Sequence, residues 1–441
     1  MNHSWKLLSL ITCFSFTLWA QEPDSLKDHW LTIHAQTTVI NQFKPHFKAP
    51  YSGENSLDNL QENKTSITST FYLGARLWKG ASIYFNPEIA GGSGLSSALG
   101  IGDATNGETF RVGSPAPQLY LARLYFSQIF ALTKEKTYQE SDQNQLGLMI
   151  PAKYLSVTIG KVSITDFFDD NTYSHDPRTQ FMAWSLMDFG AWDYPANTRG
   201  YTPSAIMEFI SPDHEIRYAV SLLPIEANAN TLDWDIRRSA SHNVEYVHNH
   251  QIGKLKGAVR VLAFFNTTHM GNYRQSITST LTDSVPDITE NRMYGRSKYG
   301  FGINAEQALA SDIGVFFRAS WNDGTNETWA FTEIDRSISA GVVWEGKRWK
   351  RPADQIGLAY VTSGLSKPHR DYLKAGGSGF ILGDGTINYA WEHLTELYYS
   401  AALVKDNLYL TGAYQFLVNP GYNRDRKGPV HIFSLRLHLN I

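Results

Sequence analysis

From about residue 30 to its end this chain repeats one pattern, with apolar side chains at every second position and polar or charged ones between them. In HIFSLRLHLNI, His431 to Ile441, one parity carries Phe433, Leu435, Leu437, Leu439 and Ile441, and the other carries Ser434, Arg436, His438 and Asn440. In SITSTFYLGARLW, Ile67, Phe71, Leu73, Ala75 and Leu77 oppose Thr68, Thr70, Tyr72 and Arg76. SDIGVFFRASW sets Ile313, Val315, Phe317, Ala319 and Trp321 against Gly314, Phe316, Arg318 and Ser320. KGAVRVLAFF and RSISAGVVW alternate in the same way. Period two is the signature of a strand, whose successive side chains point to opposite faces. Comparable runs lie near 30–42, 81–89, 119–130, 155–163, 203–210, 214–223, 241–250, 298–307, 354–362, 394–404 and 407–417.

The fold behind this pattern depends on the solvent. Beyond residue 20 no stretch approaches the ~20 apolar residues of a membrane helix. A chain that spans a bilayer without helices must be a closed barrel, because hydrocarbon tolerates no unpaired backbone groups. A soluble β-sandwich also alternates, since one strand face packs inward. It calls for polar outer faces and gives no reason to stop on a strand with one greasy and one charged face.

The beginning of the chain bears on the compartment. Lys6, the largely apolar Leu7–Trp19 and Ala20 read as a secretory signal over residues 1–20, leaving 21–441 as a single barrel domain. Cys13, the only cysteine, falls inside that segment. The mature chain then carries none, which suits export. Lys and Arg number 39 against 42 Asp and Glu, for a formal net charge of −3. That balance argues against nucleic acid as a partner.

The links between strands alternate in length. Lys79-Gly80, 211–213, 251–253, 308–311 and Asp406 are short; 43–65, 90–118, 164–202, 267–297 and 363–393 are long. Outer-membrane barrels have short periplasmic turns, long outer loops and an even strand number. With QNQLGLMIP taken as part of a turn, the expectation is an all-β, antiparallel transmembrane barrel of about 16 strands with both termini in the periplasm. Counting that segment as a strand breaks the parity, and 18 with one strand overlooked is then the alternative.

Motifs for catalysis and cofactors do not assemble. HRDYL at 369–373 and DFG at 188–190 stand in the reverse of kinase order, without the glycine-rich loop and helical lobe. The glycine-rich stretch 91–107 does not open a helix after a parallel strand. TDFFDDNTYSHD lacks the spacing of a calcium loop. His248 and His250 at i, i+2 are weak metal evidence, and neither HExxH nor G-x-S-x-G is present. The expectation is a protein without catalysis, metal or cofactor.

The most informative block is GKVSITDFFDDNTYSHDPRTQFMAWSLMDFGAWDYPANTRGY, residues 160–201. A link this long is functional or disordered, and its aromatic content argues against disorder. It reads either as a packed extracellular lid or as a loop folded into the lumen, with Asp169, Asn171, Arg178, Trp192, Asp193 and Arg199 near a constriction. Together with STFYLGARLWKGASIYFNPEIAGGSGLS, NGETFRVGSPAPQLYLAR and NPGYNRDRKGPVHIFSLRLHLNI, this block closely resembles the carbohydrate-selective porin family of Gram-negative outer membranes. The resemblance runs from about residue 65 to the end. It implies a 16-stranded barrel that passes sugars passively, with outer-membrane lipid and the barrel assembly machinery as partners. The final Ile441 departs from the aromatic that often ends such barrels.

The residues suit small neutral sugars in their own right. Sugar hydroxyls meet polar and charged side chains, while sugar C–H faces lie on aromatic rings. Tyr72 and Arg76 share lumen parity on one strand, and Tyr84 and Glu88 share it on the next, with Arg76 nearer the turn and Glu88 nearer the far end. Arg123 and Tyr125 share a face of a third. Ordinary wall stiffening by ion pairs is the plain alternative for each. Two rival functions remain at this point: a secreted β-rich carbohydrate-binding protein, and an outer-membrane enzyme housed in a barrel, which needs a Ser/His pair near the rim.

Overall fold

Sixteen strands pair edge to edge into one closed antiparallel barrel. They run over Leu31–Lys44, Glu62–Trp78, Ala81–Gly92, Gln118–Ala131, Tyr154–Val162, Thr202–Ile210, His214–Ser221, Ala240–Ile252, Leu255–Met270, Met293–Ala310, Ile313–Asn322, Arg336–Glu345, Gln355–Gly364, Glu392–Val404, Leu408–Val418 and Val430–Asn440. Each pairs with the next, and the last closes on the first with Val39 opposite Leu437 and Gln36 opposite Asn440. The structure is a computed structural model that describes residues 30–109, 116–281 and 284–441. The signal-peptide reading of residues 1–20 lies outside the described residues.

Closure leaves no strand edge unpaired, which is what a bilayer demands of a sheet. The alternation then sorts side chains inside out. Phe71, Phe85, Ile159, Met207, Val261, Phe317, Leu358 and Leu437 are exposed on the outer wall. Glu88, Glu245, Arg260, Arg318, Glu396 and Arg436 are buried within it. A soluble sandwich would bury the first set and expose the second, so its pattern is not met.

Leu148–Pro151 pairs with Lys136–Gln139 in a separate two-stranded hairpin outside the barrel wall. The short apolar run in QNQLGLMIP is therefore not a barrel strand, and the count is 16 rather than 18. The tight Lys79-Gly80 turn places Gly80 at φ +79°, the left-handed region open to glycine.

This facing makes an expected result. Leu437 sits opposite Val39 and Leu410 on the lipid side. Lysine near the bilayer midplane costs about 2–4 kcal/mol. Leu437→Lys should therefore give a much lower yield of heat-modifiable barrel in outer-membrane fractions than His438→Lys, whose side chain faces the lumen. Equal yields would contradict the facing.

Candidate pore constriction

The link 163–201 leaves the outer end of Tyr154–Val162 and turns into the lumen. Residues 181–198 are buried without a break. An irregular backbone there must find partners for its own amides and carbonyls, and charged side chains from distant strands supply them. Arg318 donates to the Asp169 carboxylate at 3.0 Å and to the carbonyls of Leu186, Asp169 and Ser174 at 3.0, 3.1 and 2.7 Å. Arg436 donates to the carbonyls of Pro177 and Gln180, both at 2.7 Å, and of Thr179 at 2.8 Å. Glu396 accepts from the amides of Met182 and Ala183 at 2.7 and 2.9 Å.

A second outer link, 93–109, packs against the first. Ser185 donates its amide to Asp103 at 3.0 Å, and Gln415 donates to the Thr105 carbonyl at 2.8 Å. Within the loop, burial raises the Asp188 carboxyl to about 7, even though His175, 3.8 Å away, favours its charged form. Burial lowers the imidazole of His175, but Asp170 and Asp188 outweigh it and the net shift is upward.

The lumen side of the wall of Glu62–Trp78, Ala81–Gly92 and Gln118–Ala131 is polar, with Thr70, Asn86, Glu88 and Arg123 buried on it. Arg178, from the loop, reaches this wall. It donates to Glu88 at 3.1 Å, to Glu108 at 2.9 Å and to the Thr70 hydroxyl at 3.0 Å. Arg123 grips Asp166 through two bonds of 2.6 Å. The Tyr201 hydroxyl donates to Glu88 at 3.1 Å, and Tyr120 also donates to Glu88. Guanidinium groups cover ring faces: Arg199 lies 4.1 Å above Tyr120 and Arg123 lies 5.2 Å above Tyr201. Further inward Tyr84 stacks on Tyr125 at 4.5 Å, with Tyr72 at 6.3 Å from Tyr84. Asp166 and Asp170 are exposed.

The residues singled out from sequence fall into three places. Glu88, Arg123, Arg178 and Arg199 come together in this cluster, and Tyr72 lies on the same wall closer to the inner mouth. Arg76 is opposite Ser82, whereas Glu88 is opposite Thr70, so the two stand at different heights. Asp169, Asn171, Trp192 and Asp193 are buried and anchor the loop. Asp169 holds Arg318, Asn171 donates to Asn304 at 2.7 Å, and Trp192 donates its indole N–H to Asn243 at 2.9 Å. Asp193 accepts from the amides of Trp329 and Ala330. Sequence reasoning placed Arg436 on the lumen face but gave no role in holding the loop to it or to Arg217, Glu245, Arg318 and Glu396. Lumen parity on an alternating strand was the signal that could have found them. Arg217 ties Glu208 at 3.2 Å to Glu245 at 3.3 Å across neighbouring strands.

A closed barrel, greasy outside and charged inside, with its lumen narrowed by an inward loop, is an outer-membrane channel of the porin class. The chain belongs to the carbohydrate-selective porin, OprB family, whose sequence profile matches residues 54–441. The protein is thus a porin of the Gram-negative outer membrane. Among solved structures it is similar to Pseudomonas putida OprB at high pH, with a TM-score of 0.71 and 14% identity over 93% of this chain and 94% of that one. The low-pH structure of the same protein gives 0.50 and 11% over 93% and 92%. Likeness at these identities shows the fold alone. A search of curated protein sequences finds no match.

Proposed function

We propose that small neutral sugars diffuse passively past the Arg123, Arg178, Arg199 and Glu88 cluster and then along Tyr84, Tyr125 and Tyr72. The observation that supports this most is the alternation of guanidinium forks, carboxylates and tyrosine faces on one continuous wall. Guanidinium groups give hydroxyl oxygens fixed donors, carboxylates accept from hydroxyl hydrogens, and ring faces take the sugar's C–H side. Opposite charges in close pairs leave no net field to favour an ion over a neutral solute. On this reading residues 1–20 direct export and are removed. The assembly machinery then inserts 21–441 among outer-membrane lipids, and passage involves no catalysis and no cofactor. Proteoliposome swelling tests it: neutral monosaccharides should enter faster than amino acids or salts of similar size. Equal rates would overturn the sugar preference.

A further inference from the structure

At the inner end of the barrel the strand links are short, as at Lys79-Gly80 or 211–213, apart from 346–354 and the much longer 132–153. The link 132–153 continues the ladder of Gln118–Ala131 and Tyr154–Val162 as a narrow ribbon. Leu132 N donates to the Lys153 carbonyl at 2.9 Å, Ala152 N donates to the Glu135 carbonyl at 2.9 Å, and Lys136–Gln139 then pairs with Leu148–Pro151. An extension of this kind could hang free below the membrane. Instead its tip returns into the lumen.

Three contacts fix where the tip lies. Ser141 Oγ is 2.9 Å from His34 Nε2, Asn86 donates its amide to Asn144 Oδ1, and a methyl of Leu146 lies 3.4 Å from where a Cβ would stand on Gly74. His34, Gly74 and Asn86 belong to three adjacent strands. The first two share the lumen parity of Tyr72, and Asn86 shares that of Glu88. Leu146 is fully buried. The tip is also cross-braced. Asp142 and Gln145 exchange backbone bonds of 3.1 and 2.9 Å, and Gln145 donates its side-chain amide to the Glu140 carbonyl at 2.8 Å. Asn144 takes φ +63°, a conformation that asparagine tolerates.

The height of the tip gives it meaning. Asn86 lies one lumen row inward of Glu88, the residue that receives Arg178 from the outer loop. Outer loop and inner ribbon therefore reach the same wall from opposite ends, one row apart. Beside the tip, the Tyr72 hydroxyl, Asn86 Oδ1 and both amide atoms of Gln143 are buried without a hydrogen-bond partner in the protein. Unmet buried polar groups are costly, and a solute rich in hydroxyls can satisfy them.

We propose that the tip 140–147 is the inner constriction of the channel, and that with Tyr72 and Asn86 it forms a second subsite for sugar hydroxyls. The ligand class rests on the sugar reading above; the constriction does not. Two variants test the constriction by ionic current. In the first, Glu140–Gly147 is replaced by Asn-Gly, which closes a two-residue hairpin. In the second, Ser141→Cys is labelled with a bulky neutral thiol reagent, since Cys13 is the only native cysteine. Shortening should raise single-channel conductance roughly twofold or more, because the narrowest section limits flow. Labelling Ser141→Cys should lower conductance, while labelling Lys134→Cys at the exposed base of the ribbon should not. Unchanged current after complete labelling at Ser141→Cys overturns the constriction, even where the shortened barrel does not assemble. Swelling assays on the same proteins separate the two claims. If the current responds but the parent shows no sugar preference, the sugar reading and the subsite fall and the constriction stands.

Discussion

Arg318→Ala should release the lumen loop while leaving the barrel closed, and single-channel conductance should rise with added noise. Arg318 is 2% exposed and is the only cation bonded to the Asp169 carboxylate among the described residues. Its guanidinium also serves the carbonyls of Leu186, Asp169 and Ser174, which then lose a donor. Asn304 and the Phe189 amide still reach Asp169, at 2.5 and 2.7 Å, but neither carries a charge. Removing one partner of a buried ion pair costs about 3–5 kcal/mol. At 1.4 kcal/mol per tenfold change, that shifts the docking of segment 169–186 by roughly two to three and a half powers of ten. The wall does not share the loss, because Arg318 pairs with Asn304 and Ser339 through its backbone. Heat-modifiable migration should therefore be kept while sugar preference falls. Adding Asp169→Asn removes the stranded charge and should restore part of the wild-type conductance. A folded Arg318→Ala barrel with unaltered conductance and sugar-to-ion ratio would show that the loop does not depend on this anchor.

The fold was legible because a lipid-facing wall imposes its rule on every strand. Any run of alternating parity such as 313–321 had to place Phe317 outside and Arg318 inside. The inward loop could be suspected from its length and its load of charge and aromatic rings. What could not be read was the role of each residue within it. Asp169 is a buried anchor and Asp170, its neighbour, is exposed. An irregular backbone has no period from which that difference could follow. The anchors depend on partners far away in sequence, Arg318 for Asp169 and Asn243 for Trp192, and only barrel closure brings them together. The ribbon 132–153 was hidden for another reason. Its strands are four residues each, and runs that short give no firm period.

Arg178→Ala should turn the channel toward cations and slow sugar entry. Arg178 stands between Glu88 and Glu108, whose side chains are 2% and 9% exposed. Without it both buried carboxylates lose their main counter-charge. Leaving a buried hydrogen-bonded charge without its partner costs about 2–5 kcal/mol. The site can relieve this by drawing in a cation, which sets the sign of the selectivity change. Sugars should suffer separately, because the fork that Arg178 presents to oxygen atoms is lost along with the charge. Two further variants part these effects. Arg178→Lys keeps a positive charge but not the planar fork, so reversal potentials in a salt gradient should stay near wild type while swelling in sugars falls. Arg178→Ala with Glu108→Gln lowers the negative charge, so cation preference should recede while sugar entry stays slow. If Arg178→Ala in a folded barrel moves neither the reversal potential nor the sugar-to-ion swelling ratio, the passage does not run beside Glu88, and the cluster on this wall serves only to hold the loop.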